Sequence, residues 1–94
     1  MTQAKQRFQQ GDRVRFSISL LRYETYKKAQ RYKSYRGTIH RVVDLSPDKK
    51  TWASEAELRL SVQYGRHNAV GYYVLWDHNQ NINPWSELEL EAAR

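Results

Sequence analysis

Polar and apolar residues alternate without a break from position 13 to position 20. A repeat of two residues is typical of a β-strand that buries one face. The dipeptide Gly11-Asp12 in front of it is a turn signal. The pattern therefore predicts a first strand over residues 13–20, whose inward side chains are Val14, Phe16, Ile18 and Leu20.

Four later segments also predict strands. Residues 38–45 and 72–77 are rich in β-branched and aromatic side chains, which favour strands. Residues 58–64 alternate apolar with polar positions, and we interpret them as a strand, although Ser54 and Glu57 resemble a helix capping box. Residues 86–90, which follow a turn at Pro84-Trp85, predict a short closing strand with Leu88 and Leu90 directed inward.

Residues 22–36 connect the first two strands and follow neither the period of a strand nor that of a helix. Tyrosine or alanine recurs every three residues, at positions 23, 26, 29, 32 and 35. This spacing drifts around an ideal helix. Glu24 and Lys28 are nevertheless correctly ordered as an i,i+4 pair, and residues 24–33 have helical propensity. We expect a long connection that contains one short helix.

Together these elements predict a mainly β fold, namely a five-stranded antiparallel small barrel with a long basic, tyrosine-rich first connection. A chain of 94 residues makes one domain, which we place at residues 11–91. The polar residues 1–10 should form a flexible N-terminal arm that becomes ordered near Phe8. The predicted core consists of Val14, Phe16, Ile18, Ile39, Leu60, Val62, Val74 and Leu88.

Charge is distributed unevenly along the chain. Up to Arg41 there are eleven basic residues against two acidic ones, and after it five basic against eight acidic, so charges of +9 and −3 make up the net +6. The basic residues of the first part concentrate in residues 22–36. This polarity indicates a basic face and a more acidic opposite end.

Short motifs give the chain a resemblance to the SH3-like small barrels. They are Gly11-Asp12-Arg13-Val14-Arg15, Arg36-Gly37-Thr38-Ile39, Tyr73-Val74-Leu75-Trp76-Asp77 and Trp85-Ser86-Glu87-Leu88-Glu89-Leu90. The resemblance is at the level of the fold. Members of this superfold include Tudor and KOW modules that bind nucleic acid or peptides, and small subunits of photosystem I and ferredoxin-thioredoxin reductase. The resemblance implies a binding or docking module, and it does not choose the partner.

The sequence offers little for catalysis. There is no cysteine, and His40, His67 and His78 have no short metal-ligand spacing. The chain is similar in size to type II dihydrofolate reductase, but its nearest match to that family's Val-Gln-Ile-Tyr motif is Val62-Gln63-Tyr64, which lacks the isoleucine. We therefore predict a protein that is not an enzyme, with no catalytic residues, no metal site and no cofactor.

The compartment is predicted from what the sequence lacks. The N-terminal residues have no apolar run of the kind found in signal peptides, and no segment approaches the roughly 18 apolar residues of a membrane span. We expect a cytoplasmic protein that does not act at a membrane.

Basic and tyrosine side chains together favour an anionic partner with flat faces. Lysine and arginine neutralise phosphates, and tyrosine rings stack on bases, so we predict weakly sequence-selective binding of DNA or RNA. The alternative is docking of an acidic protein surface through the same face, and a tyrosine that only caps the end of the barrel is a competing interpretation of each ring. The predicted nucleic-acid-binding residues are Arg13, Arg15, Arg22, Tyr23, Tyr26, Lys27, Lys28, Arg31, Tyr32, Lys33, Tyr35 and Arg36.

Overall fold

A computed structural model describes residues 6–22 and 26–93, except for the side chains of Ser19, Leu20 and Tyr26. The predicted inward placement of Leu20 and the predicted roles of Tyr23 and Tyr26 therefore lie outside the described residues and side chains. In chain order the elements are β1 (Arg13–Phe16), α1 (Ile18–Leu21), α2 (Tyr26–Lys33), β2 (Gly37–Asp44), α3 (Glu55–Tyr64), β3 (Val70–Trp76), β4 (Ile82–Ser86), a 3-10 turn (Glu87–Glu89) and β5 (Leu90–Ala92). Within the described ranges, no helix combines the length and the apolar character that crossing a bilayer requires.

The five strands form one antiparallel sheet in the order β4-β3-β2-β1-β5. The prediction of a mainly β fold with five antiparallel strands is thus confirmed, but the sheet is not closed into a barrel. β4 and β5 lie at opposite edges. The central strand pairings are short, since β1 pairs with β2 over two residue pairs and with β5 over three.

The core lies on one face of the sheet and is largely aromatic. The Phe16 ring lies 4.6 Å from that of Trp76, 4.7 Å from that of Trp85 and 5.0 Å from that of Tyr32, between centroids. Phe8 from the N-terminal segment is buried as well, with its backbone N–H donating to the hydroxyl of Tyr72. Of the predicted core, four residues are buried as expected: Val14, Phe16, Ile39 and Val74.

The other predicted core positions are wrong. Ile18 and Leu88 are exposed because the chain leaves the sheet at both places, into α1 and into the 3-10 turn. The backbone N–H of Ser17 donates to the carbonyl of Glu89, which continues the β1–β5 register by one residue, and the chain then turns into α1. Val62 is exposed and Leu60 is only half-buried, because the segment that carries them is not a strand.

The predicted third strand, residues 58–64, lies within helix α3. The Ser54 hydroxyl accepts from the N–H of Glu57 at 3.3 Å, which starts the helix, and Gly65 donates to the Ser61 carbonyl at 2.8 Å where the helix ends. The fifth strand is instead β4, in a segment predicted as a turn. Its Pro84 lies in an edge strand, the position in a sheet where proline is tolerated.

Candidate functional site

Helix α2 carries the densest group of exposed positive charge predicted from the sequence. Ala29 and Tyr32 are half-buried and face the body of the domain. Residues spaced by one helical turn share a face, so Lys27 and Arg31 lie on the side opposite that inward pair. Four exposed side chains, which cover this outer side and both flanks of the helix, form what we call the α2 basic face: Lys27, Lys28, Arg31 and Lys33. Arg31 and Lys33 lie in the last turn, where positive charge is favourable to the helix dipole.

The described tyrosines of this segment are committed to packing. The Tyr32 ring packs against Phe16 and, at 5.6 Å between centroids, against Tyr35. Tyr35 in turn stacks on the ring of His78, with centroids 3.6 Å apart and ring planes 12° apart. Both tyrosines are half-buried against the core. This placement favours the capping interpretation of Tyr32 and Tyr35 over stacking on a ligand.

The ends of the segment have different roles. Arg36 is half-buried, and its Nη1 donates to the carbonyls of Lys33 and Tyr35, both at 2.9 Å. It therefore satisfies carbonyl groups that the end of α2 leaves unpaired. Arg22, directly after α1, is exposed.

The two arginines predicted on β1 are paired within the fold. Arg13 donates from both terminal nitrogens to the two carboxylate oxygens of Asp77, and from Nη1 to the Thr38 hydroxyl at 2.8 Å. This hydrogen bonding lowers the pKa of Asp77 below its usual value. The Nε of Arg15 lies 2.7 Å from the carboxylate of Glu91. Both arginines are thus paired with carboxylates of the fold, and they lie on β1 and not on α2.

Three glutamates are buried, which the sequence did not predict. Each accepts from or pairs with a tyrosine: Glu57 with Tyr73, Glu87 with Tyr72, and Glu89 with Tyr64. Nothing in the local sequence signals these pairs, because their members are 15 to 25 positions apart.

The protonation of these pairs reflects their burial. Burial, assisted by the hydrogen bond to Glu87, raises the pKa of Tyr72 to about 12. Burial also raises the pKa of Glu89, against the opposing effect of the Ser86 N–H that donates to its carboxylate at 2.9 Å. The pairs hold α3, β3 and the 3-10 turn together. In the described part of the chain, no group of three or more histidine, aspartate or glutamate side chains is arranged to hold a metal ion.

Comparisons with known proteins add no relative to this picture. The chain matches no protein-family model, no curated protein and no solved structure. Its function must therefore be inferred from its own residues, among which the α2 basic face is the strongest candidate.

Proposed function

We propose that the chain is a non-catalytic module that binds nucleic acid through the α2 basic face with weak sequence selectivity. The observation that carries the proposal is the exposure of Lys27, Lys28, Arg31 and Lys33 on a helix of eight residues. Positive side chains held on one short element can neutralise successive phosphates and release their counterions.

The packing of Tyr32 makes this helix a defined platform. Its ring packs on Phe16, which itself is only 4% exposed. The cations therefore project from an element that is docked on the core, which lowers the entropy lost when they bind phosphates. Phosphate contacts carry little sequence information, so the proposed selectivity is weak. Base stacking in this proposal is left to Tyr23 and Tyr26.

The proposal includes an SH3-like architecture. It is supported by the five antiparallel strands, by the long connection between β1 and β2, and by the 3-10 turn that leads into the short β5. The open sheet departs from the expected barrel. Such a scaffold suits binding to nucleic acid or to protein, and the α2 basic face is the feature that favours nucleic acid.

Fluorescence anisotropy with labelled single-stranded and duplex 20-residue oligonucleotides tests the proposal across a range of salt concentrations. The logarithm of affinity should fall linearly with the logarithm of salt, by roughly 0.9 per neutralised phosphate for duplex and roughly 0.7 for single strands. Four contacts on duplex predict a slope of about −3.6. Replacing Lys27, Lys28 and Arg31 by alanine should reduce this slope to about −0.9, because one cation of the face remains.

A matched triple variant controls for net charge. Replacing Lys50, Arg59 and Arg66 by alanine removes the same number of positive charges from exposed positions outside α2, and it should leave most of the slope intact. Equal flattening by both triples would mean that binding follows net charge, and the α2 basic face would be wrong as the site. Undetectable binding at low salt would reject nucleic acid and favour docking of an acidic protein.

A further inference from the structure

Helix α3 is turned with its polar side chains inward. Glu57 and Ser61 are only 2% and 3% exposed, whereas Leu58 and Val62 are 44% and 76% exposed. Helices on the surface of a domain normally bury their apolar stripe and expose their polar one. Leu58 and Val62 lie one helical turn apart, so their exposed side chains form a contiguous apolar surface.

Both inward polar side chains of α3, Glu57 and Ser61, have hydrogen-bond partners. The Tyr73 hydroxyl donates to the Glu57 carboxylate, which also lies 3.8 Å from the guanidinium of Arg41. The Ser61 hydroxyl donates to the carbonyl of Leu45 at 2.8 Å. Buried polar groups that are satisfied in this way can fix the orientation of a helix. The rotation of α3 is thus set by hydrogen bonds, and Leu58 and Val62 are left on the outside.

These two side chains line a groove between α3 and the loop that precedes it. The groove has a volume of about 390 Å³, and its apolar lining comes from Pro47, Trp52, Leu58 and Val62. Among the described residues that line it, the charged ones are both cations, Lys49 and Arg66. The Nζ of Lys49 lies 5.0 Å from the centroid of the Trp52 ring. We call this feature the α3 groove.

We propose that the α3 groove docks an acidic amphipathic segment of a partner protein. An apolar side chain of that segment would fill the space over Trp52, Leu58 and Val62, and its carboxylates would pair with Lys49 and Arg66. Charge complementarity selects an acidic segment over a basic one. The lining favours a protein over nucleic acid, because Pro47, Leu58 and Val62 offer bases no ring to stack on and the Trp52 ring already lies against Lys49.

The α3 groove is separate from the α2 basic face, since the two share no residue and lie on different elements. This inference therefore does not depend on the proposed nucleic-acid binding. A chain with both surfaces would connect a nucleic acid to an acidic protein. Each surface can be removed by substitution without touching the other.

The test selects peptides from a phage-displayed library of random 15-residue sequences on the full chain. Peptides enriched on the wild-type chain over the Val62→Ser variant should combine aspartate or glutamate with leucine, phenylalanine or tryptophan. The most enriched sequence is then synthesised with a fluorescent label, and its Kd is measured by anisotropy. Val62→Ser should weaken this Kd about fivefold to tenfold, and Arg66→Glu should weaken it about tenfold or more.

Matched substitutions outside the groove serve as controls. Arg59→Glu makes the same charge change at another exposed position, on α3 itself, and Ile82→Ser removes an exposed aliphatic side chain from β4. Both should leave the Kd within about twofold, and thermal melting should show that all four variants are folded. In nuclear magnetic resonance spectra, the indole N–H signal assigned to Trp52 by Trp52→Phe should shift with the peptide.

Four results would overturn the proposal. The first is selection that yields no enrichment over Val62→Ser, and the second is enrichment of peptides that are basic or lack acidic residues. The third is a dimer in sedimentation velocity that Val62→Ser abolishes and Ile82→Ser preserves, which would make a second copy of the chain the occupant. The fourth is loss of oligonucleotide affinity in both Val62→Ser and Arg66→Glu, which would make the groove part of the nucleic-acid interface.

Discussion

Substitution of Tyr32 by alanine separates a packing role from a ligand-stacking role. The ring makes two aromatic contacts, with Phe16 at 5.0 Å and with Tyr35 at 5.6 Å between centroids. Each such pair contributes about 0.5–1.5 kcal/mol. These pair energies add to the apolar area that the ring buries, so Tyr32→Ala should lower the free energy of unfolding by at least about 1–3 kcal/mol. A loss of about 2 kcal/mol in a domain of this size corresponds to a fall in Tm of about 8–16 °C.

Thermal denaturation followed by circular dichroism measures this fall, and Tyr32→Phe is the matched control. Phenylalanine keeps the ring and removes only the hydroxyl, so its unfolding free energy should stay within about 0.5 kcal/mol of wild type. The folded fraction of Tyr32→Ala should keep the wild-type salt slope for oligonucleotides, because the cations of α2 are unchanged. An unchanged Tm together with a loss of about 1–3 kcal/mol in single-strand affinity would refute the packing argument, since that is the signature of base stacking.

Three further substitutions test the core and the buried carboxylates. Phe16→Ala should cost about 3–5 kcal/mol in urea denaturation, and a loss below about 1 kcal/mol would contradict its central position. Gly65→Ala should lower the Tm, because a Cβ there would lie 2.6 Å from the Ser61 carbonyl and closer still to that of Leu45; an unchanged Tm would mean that the end of α3 can shift. Burial raises the pKa of Glu89 in the folded state above its ordinary value of 4.5. The contribution of Glu89 to the free energy of unfolding is therefore full below pH 4.5, and it is lost as the pH rises through the raised pKa. Glu89→Gln should remove that fall in denaturation series between about pH 4 and pH 8, and parallel curves for the two proteins would exclude this role.

The first strand illustrates how far alternation could be trusted. The alternating pattern correctly placed Val14 and Phe16 in the core, but it wrongly placed Ile18 there. Ser17 still pairs with the 3-10 turn, since its backbone N–H donates to Glu89 and its hydroxyl donates to Leu88, and helix α1 begins at the next residue. Local pattern carries no information on such contacts.

The sequence predicted the exposed cations of the candidate site, but it did not predict how the tyrosine rings pack. Lysines and arginines on a short helix remain exposed in almost any fold, because burying an unpaired charge is costly. The basic character of α2 therefore followed from sequence alone. Whether Tyr32 points to solvent or to Phe16 depends on where β1 lies relative to α2, and a spacing of three residues does not determine that.

Helix α3 shows why the groove could not be predicted even where its residues were recognised as apolar. Leu58, Leu60 and Val62 satisfy a strand repeat of two residues, and Leu58 with Val62 also satisfies a helix repeat of four. The capping pair Ser54 and Glu57 favoured the helix, but neither pattern states which face turns inward. That choice is made by partners distant in sequence, since the Tyr73 hydroxyl donates to Glu57 and the Leu45 carbonyl accepts from the Ser61 hydroxyl. Leu58 and Val62 are thereby placed at the surface.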